Sequence, residues 1–211
     1  YPVGDMRVMG DTDLMIEKIA RKEARAVMES CGYTFEQSKS GHDIYCNDNG
    51  NVYELHYMPE DKSVFHQKLM ERAIPVGNNG TRLSLNHSDF YLYMISHLAR
   101  HMRTTGAGLR LFADIKVFYS KCGDKLDAKY VESSLQEMGL VDFENAVKQA
   151  IYSLFYGAEP DEDTQELIDY IFSGGVFGSE ENYAANRRGD KSKLAFFISS
   201  VFPSYGEMKK R

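Results

Sequence analysis

The sequence predicts an α+β fold, a small mixed β-sheet core followed by an all-helical region. Three patterns carry that expectation. Residues 11–16 and 52–58 alternate with the period of two that marks strands, and Asn49-Gly50 between two strand-like runs marks a hairpin. From about Phe65 the apolar residues recur at helical spacing instead. The change of period divides the chain into a core over residues 1–80 and a helical domain over 81–211.

The first strand lies within Arg7 to Ile16. Its alternation puts Asp11, Asp13 and Met15 on one face and Thr12, Leu14 and Ile16 on the other. Two carboxylates about 7 Å apart on one face suit a hard divalent cation such as Mg²⁺. Aspartate is depleted within strands, so two at the start of an otherwise good strand need a reason. A third acid on a neighbouring strand would complete such a site, and Glu54 in Asn51-Val52-Tyr53-Glu54-Leu55-His56-Tyr57-Met58 offers one.

Glu17 to Cys31 follows as an amphipathic helix, with Ile19, Ala20, Ala24, Val27 and Met28 as its apolar stripe and Gly32 as its stop. Strands are expected at Tyr33–Glu36, His42–Cys46 and Val52–Met58. Asp48-Asn49-Gly50-Asn51 joins the last two, where Asn-Gly accepts the positive φ of a type I′ turn. In the third of these strands Tyr53, Leu55 and Tyr57 face one way, and Val52, Glu54 and His56 the other. If the apolar side packs on the helix, Glu54 and His56 look outward into a cleft.

Asn86-His87-Ser88-Asp89 caps a helix running to Met102 or Arg103, and Thr104 to Gly108 breaks it. Helices resume over Leu109–Tyr119, Leu126–Met138, Phe143–Tyr156 and Thr164–Phe172, with Gly139, Gly157 and Gly174 ending the last three. A glycine loop from Gly174 and a late apolar helix over Lys193–Phe202 complete the pattern. The loop lacks a following Lys-Ser/Thr and is no P-loop.

Composition narrows the function classes. The net charge of −6 and a pI near 5.6 provide no global attraction for a nucleic-acid backbone, which is therefore not the favoured partner. Cys31, Cys46 and Cys122 are too scattered for a disulfide framework or a cysteine zinc site, which suits a reducing, cytoplasmic setting. No apolar run reaches membrane-spanning length. No Ser-His-Asp or Cys-His nucleophile stands out.

Met6 to Leu14, Val52-Tyr53-Glu54-Leu55-His56 and His97-Leu98-Ala99-Arg100-His101, taken in that order, resemble the bacterial uncharacterised nucleotidyltransferase family of the polymerase-beta-like superfamily. Leu109 to Asp114 and Phe202-Pro203-Ser204-Tyr205 match later landmarks of the same group. The resemblance implies a two-metal site in which Asp11 and Asp13 hold Mg²⁺ (or Mn²⁺) on the nucleotide phosphates and Glu54 completes the catalytic site. It implies an NTP as donor and an acceptor hydroxyl of unspecified origin. It also implies a glycine-bearing segment upstream of the acids. Only ten residues precede Asp11, so this stretch alone is expected to hold metal yet bind nucleotide poorly.

Further residues are candidates for substrate contact. Arg7 stands close to Asp11 in sequence, and His56 shares the face of Glu54. His97 and His101 share a helix face at i, i+4, as do Arg110 and Asp114 on the next helix. A solvated arginine, a satisfied structural histidine pair and an ordinary helical ion pair are the plain alternatives. Two other functions compete: a catalytically degenerate nucleotidyltransferase fold acting as a binding or regulatory module, and a toxin-like nucleotidyltransferase.

Overall fold

The structure, a computed structural model, describes residues 1–7, 10–39, 41–58, 63–77, 82–103 and 106–173. The glycine loop from Gly174, the helix expected at Lys193–Phe202 and the landmark at Phe202 to Tyr205 lie outside them. The chain divides into two compact units, Tyr1–Arg72 and Ala73–Arg211.

The first unit is built on a four-stranded mixed sheet. In chain order its strands are β1 (Thr12–Met15), β2 (Thr34–Lys39), β3 (His42–Cys46) and β4 (Val52–His56), and in space they run β1-β4-β3-β2. β1 pairs parallel with β4, and the remaining pairs are antiparallel. The parallel pair needs a long crossover, which helix α1 (Arg21–Ser30) and the β2–β3 hairpin supply.

The β3–β4 hairpin forms where Asn-Gly predicts it, but with another turn. Asn47 accepts the Gly50 N–H at 2.9 Å and its amide donates to Asn51 O at 3.2 Å, leaving a three-residue loop. Gly50 sits at φ +76°, the left-handed residue of a glycine bulge, and the Asn47 side chain accepts the Asn49 and Asn51 amides. Asn47 supplies the acceptors that a two-residue type I′ turn would not use. The β2–β3 turn carries Gly41 at φ +98°, where an added Cβ would stand 2.8 Å from the Met58 Cβ.

The sheet's register sorts its side chains. Asp13, Glu54 and Ile44 align across β1, β4 and β3, as do Met15, His56 and His42, all on one face. Thr12, Tyr53, Tyr45 and Phe35 align on the opposite face, with Leu14, Leu55, Asp43 and Ser38 beside them. Helix α1 covers that second face. It starts later than the expected Glu17, after a short 3₁₀ turn at Lys18–Ala20.

Of the stripe expected on α1, Ala20, Ala24 and Met28 are half-buried, but Ile19 is 86% exposed and Val27 58%. Arg21 and Arg25 turn to the sheet instead, each guanidinium 4.4 Å from a ring centroid, that of Tyr57 for Arg21 and Phe35 for Arg25. Arg21 also grips the buried Asp43, with Nε donating to Oδ2 at 2.6 Å and Nη2 to Oδ1 at 2.7 Å. An aromatic sheet face with a carboxylate in it is better matched by planar, stacking cations than by aliphatic residues.

The second unit opens with a two-stranded antiparallel ribbon, β5 (Ile74–Val76) and β6 (Arg82–Ser84), that the sequence pattern did not signal. Among the described residues, five long helices follow α2 (Val64–Gln67) of the first unit: α3 (His87–Arg103), α4 (Leu109–Cys122), α5 (Ala128–Met138), α6 (Val141–Tyr156) and α7 (Glu162–Ser173). Asn86 caps α3, accepting the Asp89 N–H at 2.9 Å through its side-chain oxygen. Leu92, Ile95, Phe112, Phe143, Val147 and Ile171 lie at the centre of the core. The buried Tyr91 donates to Glu144 at 2.6 Å, and Lys148 reaches the same carboxylate oxygen at 2.6 Å.

Candidate active site

The sheet face opposite α1 carries four polar side chains of three adjacent strands. β1 supplies Asp13, β4 supplies Glu54 and His56, and β3 supplies His42. Asp13 and Glu54 are direct register partners across the parallel pair, so their side chains leave the sheet side by side. His56 Nε2 lies between them, 2.8 Å from Asp13 Oδ1 and 3.5 Å from Glu54 Oε2. His42 Nε2 stands 3.4 Å from the same Glu54 Oε2, and its ring centroid is 4.8 Å from that of His56.

Burial and charge act together here. Both imidazoles are largely buried, while the Glu54 side chain keeps 20% of its surface and that of Asp13 29%. The carboxylates therefore meet the edge of the solvent with histidines beneath. The hydrogen bond from His56 holds the Glu54 carboxyl below the ordinary glutamate range, against the opposing effect of burial. The nearby His42 charge acts in the same direction as His56, and the Asp13 carboxylate opposes both.

This donor set fits a divalent cation. Among the described residues, His42, Glu54 and His56 form one group of three whose ligand atoms all lie within 4.8 Å of one another. Carboxylate oxygens and neutral imidazole nitrogens are the ordinary ligands of catalytic divalent ions.

Of the residues singled out in the sequence, Asp13, Glu54 and His56 are brought together. Asp11 lies one residue before β1 and is exposed. Arg7 closes a short 3₁₀ turn at Gly4–Met6, its N–H donating to Gly4 O, and is half-buried. In the helical unit His97 and His101 meet directly, Nε2 to Nε2 at 2.9 Å with ring centroids 4.5 Å apart. Arg100 Nη2 lies 3.4 Å from His97 Nδ1. Arg110 and Asp114 are half-buried one turn apart on α4.

His42 is the residue that sequence reasoning passed over. Its signal was the hairpin: once Asn47 to Asn51 forms the turn, counting back along both strands sets His42 opposite His56. The expectation that Glu54 and His56 point away from the helix-covered side rested on alternation alone, and the register agrees with it.

The sheet thus carries acids on adjacent parallel strands beside two histidines. The chain belongs to the uncharacterised nucleotidyltransferase family, whose model matches residues 1–152. That membership supports nucleotidyl transfer as the general class of function and a nucleotide as substrate; nucleotidyltransferases generally use divalent metals. No curated protein and no solved structure matches the chain. No described helix is long and apolar enough to cross a membrane.

Proposed function

We propose that the protein transfers a nucleoside monophosphate from an NTP to an acceptor hydroxyl, at the sheet face that carries Asp13, Glu54 and His56. The observation that supports this reading most is the register pairing of Asp13 with Glu54 across β1 and β4, with His56 Nε2 set between the two carboxylates. Asp11, Asp13 and Glu54 are assigned as carboxylate ligands for Mg²⁺ or Mn²⁺. When bound, such an ion neutralises charge developing on the phosphates and activates the attacking hydroxyl.

The chain's own residues then have distinct tasks. Asp13 and Glu54 fix two oxygens on rigid neighbouring strands, so their geometry is set by the ladder rather than by a loop. His56 orients both carboxylates by lying within contact of each, and His42 supports Glu54 from β3. The acceptor oxygen attacks the α-phosphorus, its bond to phosphorus forms as the bond to pyrophosphate breaks, and the acceptor proton leaves to a base. Arg7, His97, His101, Arg110 and Asp114 are assigned to substrate contact, by the capacity of arginine and histidine to pair with phosphate and of aspartate to accept from hydroxyls. The core of this reading is residues 1–80 and the specificity region 81–211, in a cytoplasmic setting.

Incubating the protein with labelled NTPs and candidate acceptors tests the proposal. Label transfer that depends on a divalent ion and disappears in Asp11→Asn together with Asp13→Asn is the expected result. Transfer that persists in that double variant defeats it.

A further inference from the structure

The geometry points to a transition-metal centre at this face: His42, Glu54 and His56 together bind one divalent first-row transition ion in preference to Mg²⁺. The inference deepens the catalytic reading of the same face and takes its functional meaning from it.

Three observations carry it. First, both imidazoles bring the same ring atom, Nε2, close to the same carboxylate oxygen, Glu54 Oε2, at 3.4 and 3.5 Å, and that of His56 also lies 2.8 Å from Asp13 Oδ1. Donors bonded to one ion at about 2.05 Å and set at the tetrahedral angle stand about 3.3 Å apart. These two separations match that spacing, and the ligand atoms of all three residues lie within 4.8 Å of one another. Second, the three residues come from the two central strands, β3 and β4, whose pairing places His42 opposite His56 and fixes both rings. Third, the imidazoles are buried and the carboxylate is half-buried, so an ion here would keep its open positions on the side of Asp13, the other acid in contact with His56.

The donor chemistry then selects the ion. Imidazole nitrogens suit transition ions, whereas Mg²⁺ prefers oxygen ligands in near-ideal octahedral geometry and keeps several of its waters. Two nitrogens and one carboxylate oxygen, with room for further ligands, are the set used by catalytic zinc sites and by open non-haem iron sites. A pair of buried histidines is an unneeded expense for a site meant only for Mg²⁺. A nucleotide phosphate or Asp13 can fill the open positions without displacing a histidine.

Cobalt(II) is the probe, because its visible absorption reports nitrogen and oxygen coordination with no turnover required. Titrated into the full chain, Co²⁺ is expected to produce a saturable visible band that a large molar excess of Mg²⁺ does not remove. His42→Gln should weaken Co²⁺ binding by more than the roughly 10- to 100-fold that loss of an outer-shell partner costs. His42→Cys should restore binding and add a near-ultraviolet sulfur-to-cobalt charge-transfer band absent from the wild type. That gain cannot come from a histidine that only packs, and it also shows that a variant at this position folds.

No visible band in the wild type, a band unchanged in His42→Gln, or displacement of Co²⁺ by equimolar Mg²⁺ overturns the inference. The outcomes separate from those of the catalytic proposal. Mg²⁺-dependent label transfer without a cobalt band removes only the transition-metal centre. A His42-dependent band with no transfer from any NTP removes only the nucleotidyl-transfer reading.

Discussion

The two faces of the four-stranded sheet each bury part of a carboxylate beside basic side chains, yet they treat it differently. On the helix-covered face Asp43 receives Arg21 through two hydrogen bonds and the Ser38 hydroxyl through a third at 2.6 Å. On the other face Glu54 is approached by two imidazoles at longer range, 3.4 and 3.5 Å. A guanidinium stays charged at every physiological pH, so it closes the Asp43 site permanently. An imidazole can give up its proton and become a metal ligand, so it leaves the Glu54 site exchangeable. Similar carboxylates on adjacent strands thus become a structural anchor on one side and a candidate reaction centre on the other.

The largest expected effect breaks the second site without touching the first. Glu54→Gln keeps the shape and removes the charge. Nucleotidyl transfer should fall by about 100-fold or more, equivalent to about 3 kcal/mol of transition-state stabilisation, while the melting temperature stays close to that of the wild type. Steady-state transfer rates and a melting curve on the same preparation check both halves.

The reverse variant, Asp43→Ala, should show the opposite pattern. It deletes the acceptor of three charge-assisted hydrogen bonds within a buried position, at a cost of about 2 kcal/mol in stability. Chemical denaturation should register that loss, with residual transfer per folded molecule largely retained. If Asp43→Ala abolished transfer in fully folded protein, the division between the faces would be wrong.

Acid titration sharpens the comparison further. Burial alone would raise the Asp43 carboxyl, but the hydrogen bonds from Arg21 and Ser38 outweigh it and hold the group below the ordinary aspartate range. A carboxyl depressed in the folded state contributes stability that is fully present above its unfolded value of about 3.9. That contribution is lost as pH falls through the lower folded value. Asp43→Asn should therefore flatten the decline of melting temperature below about pH 4 relative to the wild type.

At the small end, Ile19→Ser should change stability by no more than ~0.5 kcal/mol, because the side chain is 86% exposed. A loss several times larger would mean that the turn leading into α1 is held by Ile19 despite its exposure.

That last contrast also marks where the sequence was legible. Strand alternation placed Glu54 and His56 away from the helix, since a period of two leaves only two faces to choose between. The long helices from α3 onward were legible because caps such as Asn86 and terminal glycines such as Gly139 agree with the apolar period. The packing face of α1 was legible in part, through the half-buried Ala20, Ala24 and Met28, while arginines stacked on Tyr57 and Phe35 look like a solvated face in any hydrophobic pattern. His42 was hidden for a different reason: its meaning depends on a cross-strand register set five residues away by the turn. The β5–β6 ribbon escaped because three-residue strands, one containing Pro75, are too short to show a period. Local patterns thus gave the elements and faces, while contacts between elements decided the site.

The most direct test of the account is a melting-temperature shift with ATP and a divalent ion, measured on wild type, Glu54→Gln and Asp43→Asn. A ligand that binds only the folded protein adds about 2.7 kcal/mol at 100 times its dissociation constant, well within reach of a melting curve. The account predicts a metal-dependent shift in wild type, the same shift from a lower starting point in Asp43→Asn, and none in Glu54→Gln. A shift that survives Glu54→Gln, or that vanishes equally in both variants, would contradict it.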